Sequence, residues 1–108
     1  MTNPMSNTAP IKIWIFRKGN GQLRVHPSPV LLNGDELFRI RNLTGADATA
    51  SFPSGIVDDA IGVTIHPGAT SQDLQVKRQP TSTYFEYEVT AGNDYADGGS
   101  KPGGIVDP

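Results

Sequence analysis

The sequence predicts an all-β domain, an antiparallel β-sandwich. Three observations carry the prediction. Apolar and polar residues alternate at a period of two in several stretches rich in β-formers. Turn signals built from Gly, Pro and Asn interrupt the chain roughly every eight to twelve residues. Apolar residues nowhere recur at spacings of three and four over a length that would make a helix, and no internal repeat is visible. The chain has 108 residues, the size of one domain, with 36% hydrophobic residues to fill a modest core. Its 12 Gly and 9 Pro fit a chain of many turns and short strands.

Taken in order, residues 1–10 read as a flexible N-terminal arm and residues 11–108 as the single domain. Ile11, Ile13 and Ile15 alternate with Lys12, Trp14 and Phe16, which makes a first strand with both faces largely apolar. It stops at Arg17-Lys18-Gly19-Asn20-Gly21, where Asn-Gly is a hairpin signal. Gln22 to Val25 resumes as a short strand. Pro27 and Pro29 cannot donate to a ladder and make it an edge or a change of sheet. After Val30-Leu31-Leu32 and a second Asn-Gly at 33–34, Phe38 and Ile40 alternate with Leu37, Arg39 and Arg41, a strand with one wet face. Asn42 to Ala50 reads as a polar loop of small residues, and Phe52-Pro53-Ser54-Gly55 as a break. Val57 to Val63 has room for one helical turn. Ile61, Val63 and Ile65 alternate before the turn His66-Pro67-Gly68, and Leu74 and Val76 before Gln79-Pro80. In the last clear strand Phe85, Tyr87 and Val89 share one face, and Tyr84, Glu86 and Glu88 the other. Thr90 to Pro108 reads as a Gly/Asp/Pro tail with one apolar pair, Ile105-Val106.

Nine basic and eleven acidic residues leave a net charge of −2. The basic residues lie scattered or in the pairs Arg17-Lys18 and Lys77-Arg78, so no nucleic-acid partner is expected. The absence of cysteine excludes disulfides, thiolate metal sites and cysteine nucleophiles. Met1 to Pro10 lacks the basic and apolar regions of a signal peptide, which makes the cytoplasm the default compartment. No stretch has the 18 or so apolar residues of a membrane helix, so no membrane partner is expected.

Several segments resemble the cupredoxin-like family. Leu32-Asn33-Gly34-Asp35 leading into Leu37-Phe38-Arg39-Ile40-Arg41-Asn42 resembles its Gly-Asp turn and the strand ending in Asn. Phe52-Pro53-Ser54-Gly55 resembles the break after the next strand, and Ile65-His66-Pro67-Gly68-Ala69-Thr70 the Pro-Gly-Glu-Thr turn. Tyr84-Phe85-Glu86-Tyr87 resembles the aromatic strand that delivers the copper-binding Cys. The resemblance spans residues 11–108 and implies an antiparallel Greek-key sandwich. An immunoglobulin-like sandwich has the same alternation and stays open as the strand order.

The activity of the family does not carry over. A type 1 copper site needs a thiolate and two imidazoles with a weak axial ligand. Where the family has its first His this chain has Asp47-Ala48-Thr49, and where the Cys should follow it has Glu88. The loop Thr90 to Lys101 has neither His nor Met. The resemblance therefore implies a copper-free scaffold, with no cofactor.

Other constellations are sparse. His26 and His66 each precede a proline and read as turn residues, and no serine sits in a Gly-x-Ser-x-Gly setting. Glu86 and Glu88, about 7 Å apart on one strand face, read as cross-strand partners of arginines such as Arg39 and Arg41. Asn42-Leu43-Thr44 matches the glycosylation sequon. Asn93, Asp94 and Asp97, joined by Asp47, form a polar cluster suited to a hard cation. The string from Asn93 nevertheless departs from a calcium loop, with Tyr95 at its third position and Gly104 at its twelfth. The expected function is that of a non-catalytic binding or structural module, self-associating or part of a larger protein assembly. The alternative is a small cation- or ligand-binding protein using the 90–101 loop. Candidate surfaces are Trp14 and the end loop with Asp47, Asp94, Tyr95 and Asp97.

Overall fold

The computed structural model describes residues 9–58 and 62–108. The expected arm falls largely on residues 1–8, and Ile61 and part of the expected helical turn on 59–61, outside the described residues. The strands are β1 (Ile11–Arg17), β2 (Leu23–His26), β3 (Val30–Asn33), β4 (Leu37–Asn42), β5 (Ala48–Ser51) and β6 (Gly62–Ile65). They continue with β7 (Leu74–Gln75), β8 (Thr83–Glu86), β9 (Glu88–Ala91), β10 (Asp94–Tyr95) and β11 (Gly103–Asp107). A 3-10 turn, Ala96–Gly99, separates the last two. Among the described residues no helix is long and apolar enough to cross a membrane.

Three sheets result, ordered β2-β1-β4-β7, β10-β9-β5-β6 and β3-β11-β8. Pairing is antiparallel except for β1 with β4 and β3 with β11. Only Tyr87 separates β8 from β9, and its N–H donates to the Pro102 carbonyl at 2.9 Å. Since β8 pairs with β11 and β9 with β5, the second and third sheets follow one bent strand and face the first together. Ile13 and Ile15 from the first sheet, Ala48, Ala50 and Val89 from the second, and Val30, Phe85 and Val106 from the third meet in one apolar cluster. The architecture is all-β and sandwich-like.

The period-two reading places the core correctly where side chains are large. Ile13 and Ile15 are buried with Lys12 outward, and Phe38 and Ile40 are buried with Arg39 and Arg41 outward. Asn20-Gly21 turns β1 into β2, with Gly21 at a φ of 87°. β2 is an edge strand, and the chain changes sheet after Pro27 and Pro29.

Two segments differ from the sequence expectation. The loop expected from Asn42 to Ala50 contains the start of β5, which is paired on both sides, to β6 and β9. Ala48 and Ala50 are wholly buried there. The expected tail contains β11, the central strand of the third sheet. A Cβ on Gly104 would collide with the Phe85 ring and stand 3.0 Å from Val30 Cγ1, so glycine admits the aromatic strand beside it.

Asn42, at the end of β4, is wholly buried and acts as a hub. Its Nδ2 donates to the Ala46 and Ile65 carbonyls, each at 2.8 Å. Its Oδ1 accepts from the Thr44 N–H at 2.9 Å and the Thr44 hydroxyl at 2.7 Å. Both amide atoms being engaged, the sequon is closed to a glycan in the folded protein.

The Tyr87 ring stacks on Phe52 with centroids 4.9 Å apart, and its buried hydroxyl has no hydrogen-bond partner among the described residues. Burial, and secondarily the Asp97 charge, push this phenol far above the ordinary tyrosine value. Tyr87→Phe removes the orphaned group and is expected to stabilise the fold by about 1 kcal/mol, read by denaturant unfolding. The pH dependence follows in sign. Above about pH 10 the unfolded phenol ionises while the folded one stays protonated. The wild type therefore loses stability as the pH rises from there towards the raised folded value. Tyr87→Phe is expected to lose less, in the same unfolding measurement repeated at alkaline pH.

Candidate functional site

The outer face of the first sheet is built by register. β1 runs antiparallel to β2, setting Trp14 opposite His26 and Phe16 opposite Arg24. On its other side β1 runs parallel to β4, setting Lys12 beside Arg39 and Trp14 beside Arg41. The face expected to be apolar is thus an aromatic ridge, Trp14 and Phe16, flanked by cations. Trp14 and Phe16 are half-buried, while Lys12, Arg39 and Arg41 are exposed.

Two clefts open on this face. One, of about 490 Å³, is lined by Lys12, Trp14, Arg39, Arg41, Leu43 and Thr70. The other, of about 520 Å³, is lined chiefly by Phe16, Lys18, Arg24, His26, Asp97 and Lys101. Arg39 donates to Asp73, and that hydrogen bond and charge raise the guanidinium pKa further, fixing its positive charge. Arg24 pairs with Asp97 at 3.3 Å. Asp97 adopts a left-handed φ of 59°, a conformation that Asp and Asn tolerate best among non-glycine residues.

The end loop is arranged differently from the cluster expected of it. Asp94 pairs with Arg17 at 2.9 Å, and Asp47 bonds His66 Nδ1 at 3.0 Å. Asp94 lies opposite Ala91, and Ala91 opposite Ala48. Asp47 and Asp94 therefore share one end of the second sheet but stand two strands apart, about 10 Å. Tyr95 pairs with Thr90 and is exposed. Among the described residues no group of three His, Cys, Asp or Glu side chains is placed to hold a metal ion. Asp47, Asp94 and Asp97 each answer a separate basic side chain.

Glu86 and Glu88 lie beside Gly103 and Ser51, in the third and second sheets, and not opposite Arg39 and Arg41. Four of the five arginines bond aspartates instead: Arg39 to Asp73, Arg24 to Asp97, Arg17 to Asp94 and Arg78 to Asp35.

What sequence reasoning missed is the gathering of Lys18, Arg24 and Lys101 around Phe16, and of Lys12, Arg39 and Arg41 around Trp14. The alternation gave half of the signal, by putting each set of side chains on an outward face. The other half, parallel pairing of strands more than twenty positions apart, has no local signature.

No protein-family model matches the sequence, and no curated protein is significantly similar to it. Among solved structures the fold is similar to the crystal structure of Lac15 from a marine microbial metagenome. The TM-score is 0.54 at 20% identity, over 92% of this chain and 32% of that one. The likeness is one of fold alone, and the chain spans about a third of the length of Lac15.

Proposed function

We propose that the chain is a non-catalytic, copper-free binding module with a cupredoxin-like Greek-key sandwich, and that its working surface is the outer face of the first sheet. The observation that carries this reading is Trp14. The one tryptophan of the chain stands half-open in a cleft among cations, on the outward face of the first sheet. Aromatic side chains of this kind anchor interfaces. The strand-end motifs support the scaffold. The Gly34-Asp35 turn opens β4, β4 ends on Asn42, and the aromatic strand leads into Glu88. Two copies of this face would bring like charges together, so its partner is a different, acidic surface or ligand.

The test is Trp14→Arg, with light scattering across a tenfold range of concentration alongside thermal unfolding. The variant is expected to fold, losing about 1 kcal/mol. Ile15→Ala, one residue on and wholly buried, is expected to lose about 2–5 kcal/mol. The wild type is expected to keep a constant mass. A mass that grows with concentration, and stops growing on Trp14→Arg, assigns the face to a second copy instead. A Trp14→Arg variant as unstable as Ile15→Ala places Trp14 in the core and removes the reading.

A further inference from the structure

We infer that the outer face of the first sheet binds single-stranded nucleic acid, an inference that rests on the binding-module reading and names its partner. The charge is segregated to a degree the net value of −2 conceals. Six of the nine Lys and Arg residues line the two clefts, three in each. Of the described Asp and Glu residues only Asp97 lines either one, and Asp73 reaches Arg39 from outside them. Each cleft also holds one aromatic side chain, Phe16 in the first and Trp14 in the second. The two rings are two residues apart on one strand face, about 7 Å.

An acidic polypeptide would answer the cations and leave the rings unused. A duplex would present phosphates but keep its bases stacked within. A single strand brings phosphates and open base faces together, and a sheet that sets aromatics between cations meets both. The cations looked scattered because they come from β1, β2, β4 and the segments before β2 and β11.

Trp14 fluorescence reports on this face directly, since the chain has no other tryptophan. The full chain is titrated with an oligothymidylate of about twelve nucleotides, with inorganic polyphosphate and with oligoglutamate of matched charge. The oligothymidylate is expected to quench Trp14, and its affinity to fall with salt between about 50 and 200 mM. Trp14→Ala, followed by anisotropy of a labelled strand, is expected to weaken binding about 5- to 150-fold. Lys12→Gln with Arg41→Gln, both exposed and harmless to the core, is expected to flatten the slope of log affinity against log salt by about 1.4. Binding no tighter than polyphosphate and unmoved by Trp14→Ala would be charge alone and overturns the inference. Tighter binding of oligoglutamate overturns it too, while leaving the binding-face reading in place. If none of the three binds and Trp14→Arg is as unstable as Ile15→Ala, both fall.

Discussion

Asn42→Ala is expected to lower the stability by about 3–5 kcal/mol, more than a surface change could. The residue makes four side-chain hydrogen bonds at 2.7–2.9 Å from a wholly buried position. Those bonds tie the end of β4 to the β4–β5 loop at Ala46 and to β6 at Ile65. Alanine fills less space and also removes the Asn42 partner of the Ile65 carbonyl and of the Thr44 N–H, each costing about 1–3 kcal/mol if water cannot reach it, while the Ala46 carbonyl keeps the Thr44 hydroxyl at 2.9 Å. Thr44→Ala removes only the hydroxyl of this group and is expected to cost about 1 kcal/mol. Denaturant unfolding of both variants and of their double checks the arrangement. The double variant should be less destabilised than the sum of the singles, because both cut the same hydroxyl–amide bond. A loss below about 1 kcal/mol for Asn42→Ala would mean that water replaces the amide and that the hub holds nothing.

How much of this was legible in the sequence depends on what kind of information each part needs. β1 and β4 announce themselves because isoleucine and phenylalanine at every second position have one stable use, a strand with a buried face. β5 stays silent because Ala48-Thr49-Ala50-Ser51 carries little hydrophobicity, and its burial is a demand made by β6 and β9 from elsewhere in the chain. β11 stays silent for the opposite reason. Gly103 and Gly104 suggest a flexible tail by local propensity, yet the rings of Tyr84 and Phe85 need the room that only glycine leaves. The site divides in the same way. Trp14, Phe16 and Lys12 on one face, and Arg39 and Arg41 on another, follow from a period of two. That the two faces are continuous follows from parallel pairing of β1 with β4, a long-range fact. The aspartates of the end loop read as one cluster because sequence proximity was all there was to judge by. Folding hands Asp94 and Asp97 separately to Arg17 and Arg24, on the two strands of the β1–β2 hairpin.

Phe52→Ala is expected to cost about 3–5 kcal/mol, although Phe52 reads in the sequence as part of a chain break. Its ring is buried between Phe38, at 5.7 Å edge to face, and Tyr87, stacked at 4.9 Å. It therefore joins the first sheet, through β4, to the bend between β8 and β9 where the second and third sheets meet. Alanine leaves a cavity between two large rings that cannot both move in to fill it, and forfeits two aromatic contacts worth about 0.5–1.5 kcal/mol each. Phe52→Leu retains most of the volume and is expected to lose about 1–2 kcal/mol. Unfolding in denaturant gives both numbers, and a Phe52→Ala loss under about 2 kcal/mol would show that the layers close over the gap. The same variant separates stability from recognition. Phe52 faces the interior and the cationic face lies on the other side of β4. Under conditions where Phe52→Ala remains folded, it is therefore expected to bind the oligothymidylate as the wild type does. Trp14→Ala should do the reverse, losing affinity while giving up little stability. Parallel losses of both properties in both variants would tie the outer face to core packing and count against its being an independent surface.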